Sequence, residues 1–266
     1  MIRLLVALPA EARPLVERFG LQQRERKPFA VYGGRGMSLV VAGVGGFNAI
    51  AATAFLQGLT QDDGAGPWLN YGICGHRDHG VGTPLMAHKV RDAVSGQSFY
   101  PTFAFKPPCA TAEVASVQRP VTDYPDARAY DMEAAAFWPA ARRFAGVELS
   151  HCLKIVSDNP RSSIAELTPD RVAALCAGGL DTLDALLESL RPLIPAPPPP
   201  HPLLQPILSR WRFSASRRVQ LEGLLQDRAL LAPAEKDLWP RLQTLPAAAD
   251  VLAFLLADNR RLPPPF

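Results

Sequence analysis

Short apolar runs and stretches with helical periodicity alternate along the first 190 residues of the chain. A short apolar run between turn residues predicts a strand, whereas apolar residues recurring every three or four positions predict a helix. Alternation of this kind is typical of an α/β domain with a largely parallel core sheet. The predicted strands span residues 2–8, 38–44, 68–73, 84–90 and 151–156, and the predicted helices span residues 10–19, 47–59, 132–144 and 169–190.

Two of the predicted helices carry additional signals. Thr168 and Pro169 should open the last one, since threonine is a good N-cap residue and proline is favoured at the first helical position. Pro139 falls inside the helix predicted over 132–144 and should kink or break it, because proline removes a backbone hydrogen bond.

A proline-dense segment divides the chain. Residues 192–202 favour an extended polyproline II spacer. We therefore predict a main domain over residues 1–191, a linker over 192–202 and a helical C-terminal extension over 203–266.

The extension has the pattern of several short helices. Breaks are expected near Pro233, Pro240 and Pro246, and residues 262–266 should be irregular. Leucines supply one apolar face, and the large apolar side chains are expected to pack on the main domain or on another subunit. These leucines are Leu221, Leu224, Leu225, Leu230 and Leu231, and the large side chains are Trp211, Phe213, Leu238, Trp239 and Phe254.

Composition excludes several function classes. Residues 1–200 carry 19 basic and 19 acidic side chains, so the basic excess lies in the extension and no nucleic-acid surface is expected on the main domain. No run of 18 apolar residues is present, so no membrane span is expected. The 4 cysteines form no Cys-x-x-Cys pair, which predicts unpaired thiols and a cytoplasmic location.

Two acidic residues lie where an α/β sheet places its ligand. Asp158 follows the apolar run 151–156, and the ends of such strands border the ligand crevice. Glu133 lies at a predicted strand-to-helix junction, in the first turn of the helix predicted over 132–144. Carboxyl groups brought to one cleft by different elements can take different roles, because their surroundings separate their pKa values.

Further motifs follow one another in a recognisable order. They are Leu-Leu-Val-Ala-Leu-Pro-Ala-Glu-Ala at 4–12, Ala-Gly-Val-Gly-Gly-Phe-Asn-Ala at 42–49, Asn-Tyr-Gly-Ile-Cys-Gly at 70–75, Val-Gly-Thr-Pro-Leu-Met at 81–86, Asp-Met-Glu-Ala at 131–134 and Val-Ser-Asp at 156–158. Through them residues 1–190 resemble the purine nucleoside phosphorylase/nucleosidase superfamily. The closest likeness is to its hydrolytic branch, the methylthioadenosine/S-adenosylhomocysteine nucleosidases and futalosine-hydrolase-like enzymes. The resemblance implies a three-layer α/β fold of the nucleoside-phosphorylase type, here with a helical C-terminal appendage.

The resemblance also implies roles for individual residues. Asp158 aligns with the acid that protonates the leaving purine, Glu133 with the glutamate that binds the ribose hydroxyls, and Met132 with a methionine packed against the sugar. Glu11 aligns with the glutamate that activates water in the nucleosidases. Taken alone, Asp158 suits a turn equally, and either glutamate suits the first turn of a helix.

Four more positions within the motifs are predicted to contact the substrate: Gly45, Gly72, Ile73 and Ser157. A glycine-rich turn before a helix lets backbone N–H groups approach a sugar or an anion, and a tight strand–helix turn explains the glycines equally well. Ile73 stands where the family commonly has a small hydroxyl residue that positions phosphate or water. This difference weakens a phosphorylase assignment most.

The segment over residues 91–131 is shorter than in the family, where it supplies base recognition. Its aromatic side chains would either stack on a base or fill the core, and the core is favoured. Among them are Phe99, Tyr100, Phe103 and Phe105.

Neither a phosphate clamp nor a metal site is evident. Arg13 is a candidate for phosphate binding only by its proximity to Glu11. His76 and His79 have the spacing of a metal-binding pair but lack a third ligand, so a polar loop is favoured.

The resemblance therefore implies hydrolysis of the N-glycosidic bond of a purine nucleoside or nucleoside derivative. The base would leave with acid assistance and activated water would attack, with no metal or organic cofactor. One alternative is a phosphorylase with phosphate as co-substrate. Another is a catalytically weak member that binds a nucleoside or a partner protein. The family usually assembles as dimers or larger oligomers, so a homo-oligomer, in particular a homodimer, is expected.

Overall fold

The computed structural model describes residues 1–60, 65–196, 199–232 and 237–262, which form two compact units. The first unit comprises Met1–Pro195, and the second begins at Ala196. No helix in these ranges is long and apolar enough to cross a membrane.

A mixed sheet of 10 strands forms the centre of the first unit. Its strands are β1 (Ile2–Val6), β2 (Gln22–Glu25), β3 (Ala30–Gly34), β4 (Met37–Val41), β5 (Trp68–His76), β6 (Pro84–Asp92), β7 (Ser98–Phe99), β8 (Ala110–Ser116), β9 (Ala129–Asp131) and β10 (Ser150–Asp158).

The parallel core of this sheet has the order β4–β1–β5–β10. From β10 the sheet continues through β6, β8 and β9, and β9 pairs again with β5, so these strands close into a ring. Strands β3 and β2 extend the opposite edge in antiparallel fashion. Because β1, β5 and β10 are parallel, their carboxyl ends meet where α/β sheets bind ligands.

Helices cover both faces of the sheet and give three layers. They are α1 (Pro9–Phe19), α2 (Gly46–Thr60), α3 (Ala134–Ala141), α4 (Pro169–Gly178) and α5 (Leu180–Leu190). Helices α2 and α3 share a core with Leu5, whereas α1, α4 and α5 share another with Leu4 and Val6. Successive strand residues point to opposite faces, so the uninterrupted apolar run of β1 fits a strand buried on both sides.

Every strand and helix predicted for the main domain is present, but the last helix is divided. Helix α4 ends at Gly178 and α5 begins at Leu180. A Cβ at Gly179 would lie 2.5 Å from the Tyr71 hydroxyl, so the chain passes close to the sheet there. That hydroxyl donates to the Cys176 carbonyl. The prediction of one continuous helix over 169–190 is therefore wrong.

Helix α3 is shorter than the predicted 132–144. It begins at Ala134, because the Asp131 side chain accepts a hydrogen bond from the backbone N–H of Ala134. It ends at Ala141, two residues beyond Pro139, so the proline lies inside the helix and does not break it. The strands β2, β3, β7, β8 and β9 were not predicted; β2, for example, is polar and exposed along its whole length.

The second unit contains α6 (Leu204–Arg210), α7 (Ala215–Leu231), α8 (Leu238–Gln243) and α9 (Ala248–Asn259). Its large apolar side chains pack against one another within this unit, which corrects the expectation that they cover the main domain or another subunit. The Trp211 and Trp239 rings, for example, lie 6.2 Å apart. Leu230 is exposed, whereas Arg228 of the same helix is buried.

The proline positions agree in part with the predicted breaks. Pro240 lies within α8 and Pro246 lies between α8 and α9. Pro233, residues 197–198 of the linker and residues 263–266 lie outside the described residues. The linker begins as a short 3-10 helix, Arg191–Leu193, rather than as an extended segment.

Candidate active site

A cavity of about 230 Å³ lies at the carboxyl ends of β1, β5 and β10. Six of the eight predicted site residues line it: Glu11, Ile73, Met132, Glu133, Ser157 and Asp158. The remaining wall consists of Ala7, Leu8, Val44, Cys74, Gly75, Val117, Pro120, Val121, Tyr130, Asp131 and Ile164.

The two other predicted residues, Gly45 and Gly72, do not line the cavity but lie next to its glutamates. The backbone N–H of Gly45 donates to Glu133 Oε1 at 2.8 Å. A Cβ at Gly72 would lie 2.6 Å from Glu11 Oε1, so only glycine leaves room for this carboxylate.

Glu11 is fixed at the start of α1. Its Oε2 accepts hydrogen bonds from the backbone N–H groups of Ala7 and Leu8, both at 2.8 Å, and its Oε1 accepts one from Ile73 at 3.0 Å. Burial raises the pKa of Glu11, and these hydrogen bonds together with the charge of Lys154 offset part of the increase. The glutamate thus joins the end of β1 to the end of β5.

Glu133 lies at the N-cap of α3, next to the cavity. Burial raises its pKa to about 7, with Lys154 acting in the opposite direction and Asp131 adding to the increase. A carboxyl group in this range is present in both protonation states near neutral pH and can both donate to and accept from sugar hydroxyls.

The raised pKa of Glu133 makes stability depend on pH. In the folded protein this carboxyl has a pKa of about 7 against an ordinary value of 4.5. The folded state therefore holds the proton more tightly, and stability is lost as the pH rises through this window. As the pH rises from 4.5 to 8, the free energy of unfolding of Glu133→Gln should increase relative to that of the unsubstituted protein by up to about 3 kcal/mol.

Urea unfolding at the two pH values measures this difference. Glu188→Gln, at an exposed position, is the matched control. If the difference in stability for Glu133→Gln stays constant or shrinks toward pH 8, the pKa of Glu133 is not raised in the folded protein.

A buried ion pair supports the acidic residues. Lys154 Nζ lies 2.7 Å from Asp131 Oδ2, and both side chains are almost fully buried. Burial acts to lower the pKa of Lys154, but the charges of Asp131 and Glu133 outweigh it and the pKa is raised. Lys154 was not predicted, although a lysine within the apolar run 151–156 is a signal that could have found it.

Asp158 is held at both carboxyl oxygens. Ser157 donates to Oδ1 and Tyr124 donates to Oδ2. The register of β10 against β5 shifts between Val156 and Asp158, and a bulge of this kind redirects side chains. Ser157 and Asp158 consequently both line the cavity. Tyr124 was not predicted.

The charged groups lining the cavity are all acidic. They are Glu11, Asp131, Glu133 and Asp158, and no lysine, arginine or histidine of the described residues lines it. Arg13 pairs with Asp170 at 2.9 Å on the surface and is not part of the cavity wall, so it is no phosphate clamp here. Such a cavity favours developing positive charge and disfavours a bound anion.

The four aromatic side chains considered for base stacking, Phe99, Tyr100, Phe103 and Phe105, do not line the cavity. Phe99 packs beside Trp138, and Phe103 stacks on His151, as expected for core residues. Tyr100 is 64% exposed. From this segment, Val117, Pro120, Val121 and Tyr130 line the cavity instead.

His76 does not lie in a polar loop. It is part of β5, its side chain is buried, and its ring lies 4.5 Å from that of His79. Its Nδ1 accepts hydrogen bonds from the backbone N–H groups of Asp78 and His79. Across the described parts of the chain, no group of three or more metal-ligating side chains is present.

Solved structures share this fold at low sequence identity. The 5′-methylthioadenosine/S-adenosylhomocysteine nucleosidase from Neisseria meningitidis, in complex with methylthio-immucillin-A, is 20% identical, with a TM-score of 0.57 over 70% of this chain and 99% of that chain. The 5′-methylthioadenosine nucleosidase from Arabidopsis thaliana is 19% identical, with a TM-score of 0.60 over 71% and 95%. The futalosine hydrolase of Helicobacter pylori is 14% identical, with a TM-score of 0.58 over 71% and 97%.

No protein-family model and no curated protein sequence matches this chain. The likeness to the solved structures shows that about 70% of this chain shares their three-layer α/β fold. The fold predicted from the sequence is confirmed.

Proposed function

We propose that this protein is a nucleosidase that hydrolyses the N-glycosidic bond of a purine nucleoside or nucleoside derivative. The observation that carries the proposal is the cavity in which Glu11, Glu133 and Asp158, from separate parts of the chain, lie together without a basic side chain of the described residues.

Asp158 assists the departure of the base. A purine leaves with the electrons of the glycosidic bond and must be neutralised by a proton, which a positioned carboxylic acid can deliver. Asp158 is only 2% exposed, and both its oxygens accept hydrogen bonds. It is therefore fixed in one orientation toward the cavity.

Glu133 and the acidic cavity stabilise the ribosyl group. As the base departs, the sugar gains oxocarbenium character and positive charge. Preorganised negative groups stabilise such charge most strongly in a cavity that excludes water. Glu133 binds the ribose hydroxyls, and Met132 lies beside it in the wall.

Glu11 orients and activates the attacking water. A carboxylate offers about four acceptor positions, and Glu11 uses three of them for the backbone N–H groups of Ala7, Leu8 and Ile73. A fourth position remains for a water molecule. Division of labour between one acid and one base on opposite faces of a sugar is the logic of inverting glycoside hydrolysis.

Hydrolysis fits the cavity better than phosphorolysis. Phosphate would enter a cavity whose charged lining groups are acidic, and Ile73 offers it no hydroxyl group. The names of the structural neighbours support the same choice, because the two nucleosidases and the futalosine hydrolase are hydrolases of nucleoside compounds by name. The scheme requires no metal or organic cofactor.

Release of free base from a nucleoside panel tests the proposal. The panel consists of 5′-methylthioadenosine, S-adenosylhomocysteine, futalosine, adenosine and inosine, each with and without phosphate. Base release that does not depend on phosphate is expected. Release only with phosphate would identify a phosphorylase. Binding of a panel member by thermal shift without any turnover would favour the nucleoside-binding alternative.

A homodimer is proposed through α2. This helix contains no charged residue, and Phe47 and Ile50 on it are 92% and 46% exposed. Val44, just before α2, is 45% exposed and also lines the cavity. An apolar face of this kind favours a partner, and a second copy would cover it beside the cavity.

The cytoplasmic location, expected from the unpaired thiols, stays a prediction.

Phe47→Glu should convert the dimer into a monomer, because a charge would have to be buried in the interface. Light scattering coupled to size-exclusion chromatography measures the mass. Val94→Glu, at another exposed apolar side chain, should leave the mass unchanged. A monomeric unsubstituted protein would refute the dimer.

A further inference from the structure

Tyr124 lies beside Asp158 although 34 residues separate them in the sequence. The tyrosine is 3% exposed, and its hydroxyl donates a hydrogen bond to Asp158 Oδ2. The other carboxyl oxygen accepts from Ser157. In the proposed mechanism this bond contributes only to the orientation of Asp158.

The backbone of Tyr124 has an unusual conformation. Its φ is 42°, in the left-handed region that bulky residues rarely adopt. Such a conformation persists where surrounding contacts hold it in place. Here the side chain packs in a small cluster with Ala115 and Tyr130, next to Val117 and Val121 of the cavity wall.

Gly75 leaves the space in which the two side chains meet. A Cβ at this position would lie 2.7 Å from Asp158 Oδ2 and 2.8 Å from Tyr124 Cε1. Gly75 also pairs with Asp158 in the register of β5 and β10. The backbone of β5 is thus shaped around the contact between Tyr124 and Asp158.

We propose that Tyr124 is a positioning residue that holds the carboxyl group of Asp158 and strengthens it as the acid that protonates the leaving base. This inference rests on the proposed nucleosidase function. It gives a role to the shortened middle segment, because Tyr124 links that segment to the acid Asp158.

The hydrogen bond acts through the charge that proton transfer creates. When Asp158 gives its proton to the base, a carboxylate remains, and a hydrogen bond to a charged acceptor is stronger than one to a neutral acceptor. Tyr124 therefore stabilises the state after transfer more than the state before it. This difference lowers the barrier to base departure.

Tyr124 keeps its own proton throughout. Burial raises its pKa, and the hydrogen bond to Asp158 raises it further. Giving up the phenolic proton would leave a buried phenolate next to a carboxylate. The proton that reaches the base is thus the one on Asp158, and Tyr124 only donates a hydrogen bond.

A double-mutant cycle tests the proposal. Tyr124→Phe should lower kcat for base release about 10- to 100-fold, the effect expected for a hydrogen bond to a charged group, with little change in KM. In the Asp158→Asn background the same substitution should change kcat less than about twofold, because no acid remains to be strengthened. Equal factors in the two backgrounds would overturn the proposal.

Two measurements separate this outcome from other failures. Tyr71→Phe removes an equally buried hydroxyl, bonded to the Cys176 carbonyl, and should lower kcat by the same factor in both backgrounds. Unfolding temperatures of the cycle need no turnover, and non-additive values would establish the Tyr124–Asp158 contact. If the unsubstituted protein releases no base, the proposed function fails and the catalytic role of Tyr124 fails with it. Additive changes in unfolding temperature would show that Tyr124 and Asp158 do not interact, which would overturn the proposal.

Discussion

Asp158→Asn should slow the release of a purine base by a factor of about 10² to 10⁴, the usual contribution of a general acid. Asparagine has nearly the shape of aspartate, and its carbonyl oxygen can accept a hydrogen bond from one of Ser157 and Tyr124 while its amide group donates to the hydroxyl oxygen of the other. It cannot transfer a proton to the base. The fold should therefore survive while the chemical step is lost.

The size of the loss should depend on the leaving group. A 4-nitrophenyl riboside releases an anion that is stable without protonation, so Asp158→Asn should keep most of its rate with this substrate. Purine nucleosides should show the full loss. Both rates come from initial-velocity measurements, and Asp170→Asn, at an exposed acid paired with Arg13, is the control. An equal loss with both substrates would mean that Asp158 shapes the cavity and is not the acid.

The acidic residues of the site could be predicted because they fall within the motifs that resemble the family, and local sequence supports two of the positions. Asp158 ends the apolar strand β10 and Glu11 lies in the first turn of α1, which follows β1, and parallel strands bring such ends together. Glu133 precedes a helix, which the sequence also indicates. Tertiary structure adds that the glycines at 45 and 72 contact the glutamates rather than line the cavity.

Tyr124 could not be predicted in the same way. It lies in a segment without helix or strand periodicity, and its contact with Asp158 depends on a positive φ and on the space left at Gly75. These are features of the folded chain rather than of a sequence pattern. Lys154 is different, because a lysine inside a buried strand already requires a charged partner.

The fold shows the same division between local and tertiary causes. Apolar runs predict the main strands, since their side chains are buried on both faces of the sheet. The break at Gly179 accompanies the close approach of the chain to Tyr71, and the Gly178–Gly179 pair is a local signal that could have predicted it. In the second unit, helical periodicity predicts helices but not which residues of α7 face inward; Arg228 takes a place that the leucine pattern assigned to Leu230.

Glu11→Gln should slow base release by a factor of about 10² to 10⁴, because the attacking water loses its base. The loss should be the same for purine nucleosides and for the 4-nitrophenyl riboside, since activation of water does not depend on the leaving group. Phosphate should not restore the rate. Glu17→Gln, on the exposed side of the same helix, is the control and should leave the rate unchanged.

Glutamine also disturbs the hydrogen bonds of Glu11, and a second variant separates this effect from lost chemistry. Its amide nitrogen would face a backbone N–H, either that of Ile73 or those of Ala7 and Leu8, so the unfolding temperature should fall as well.

Glu11→Ala leaves space for azide, a nucleophile that needs no base. Azide should accelerate base release in Glu11→Ala but not in Asp158→Asn, because only the first variant keeps the acid. If azide accelerates base release in neither variant, Glu11 is not the base that activates water.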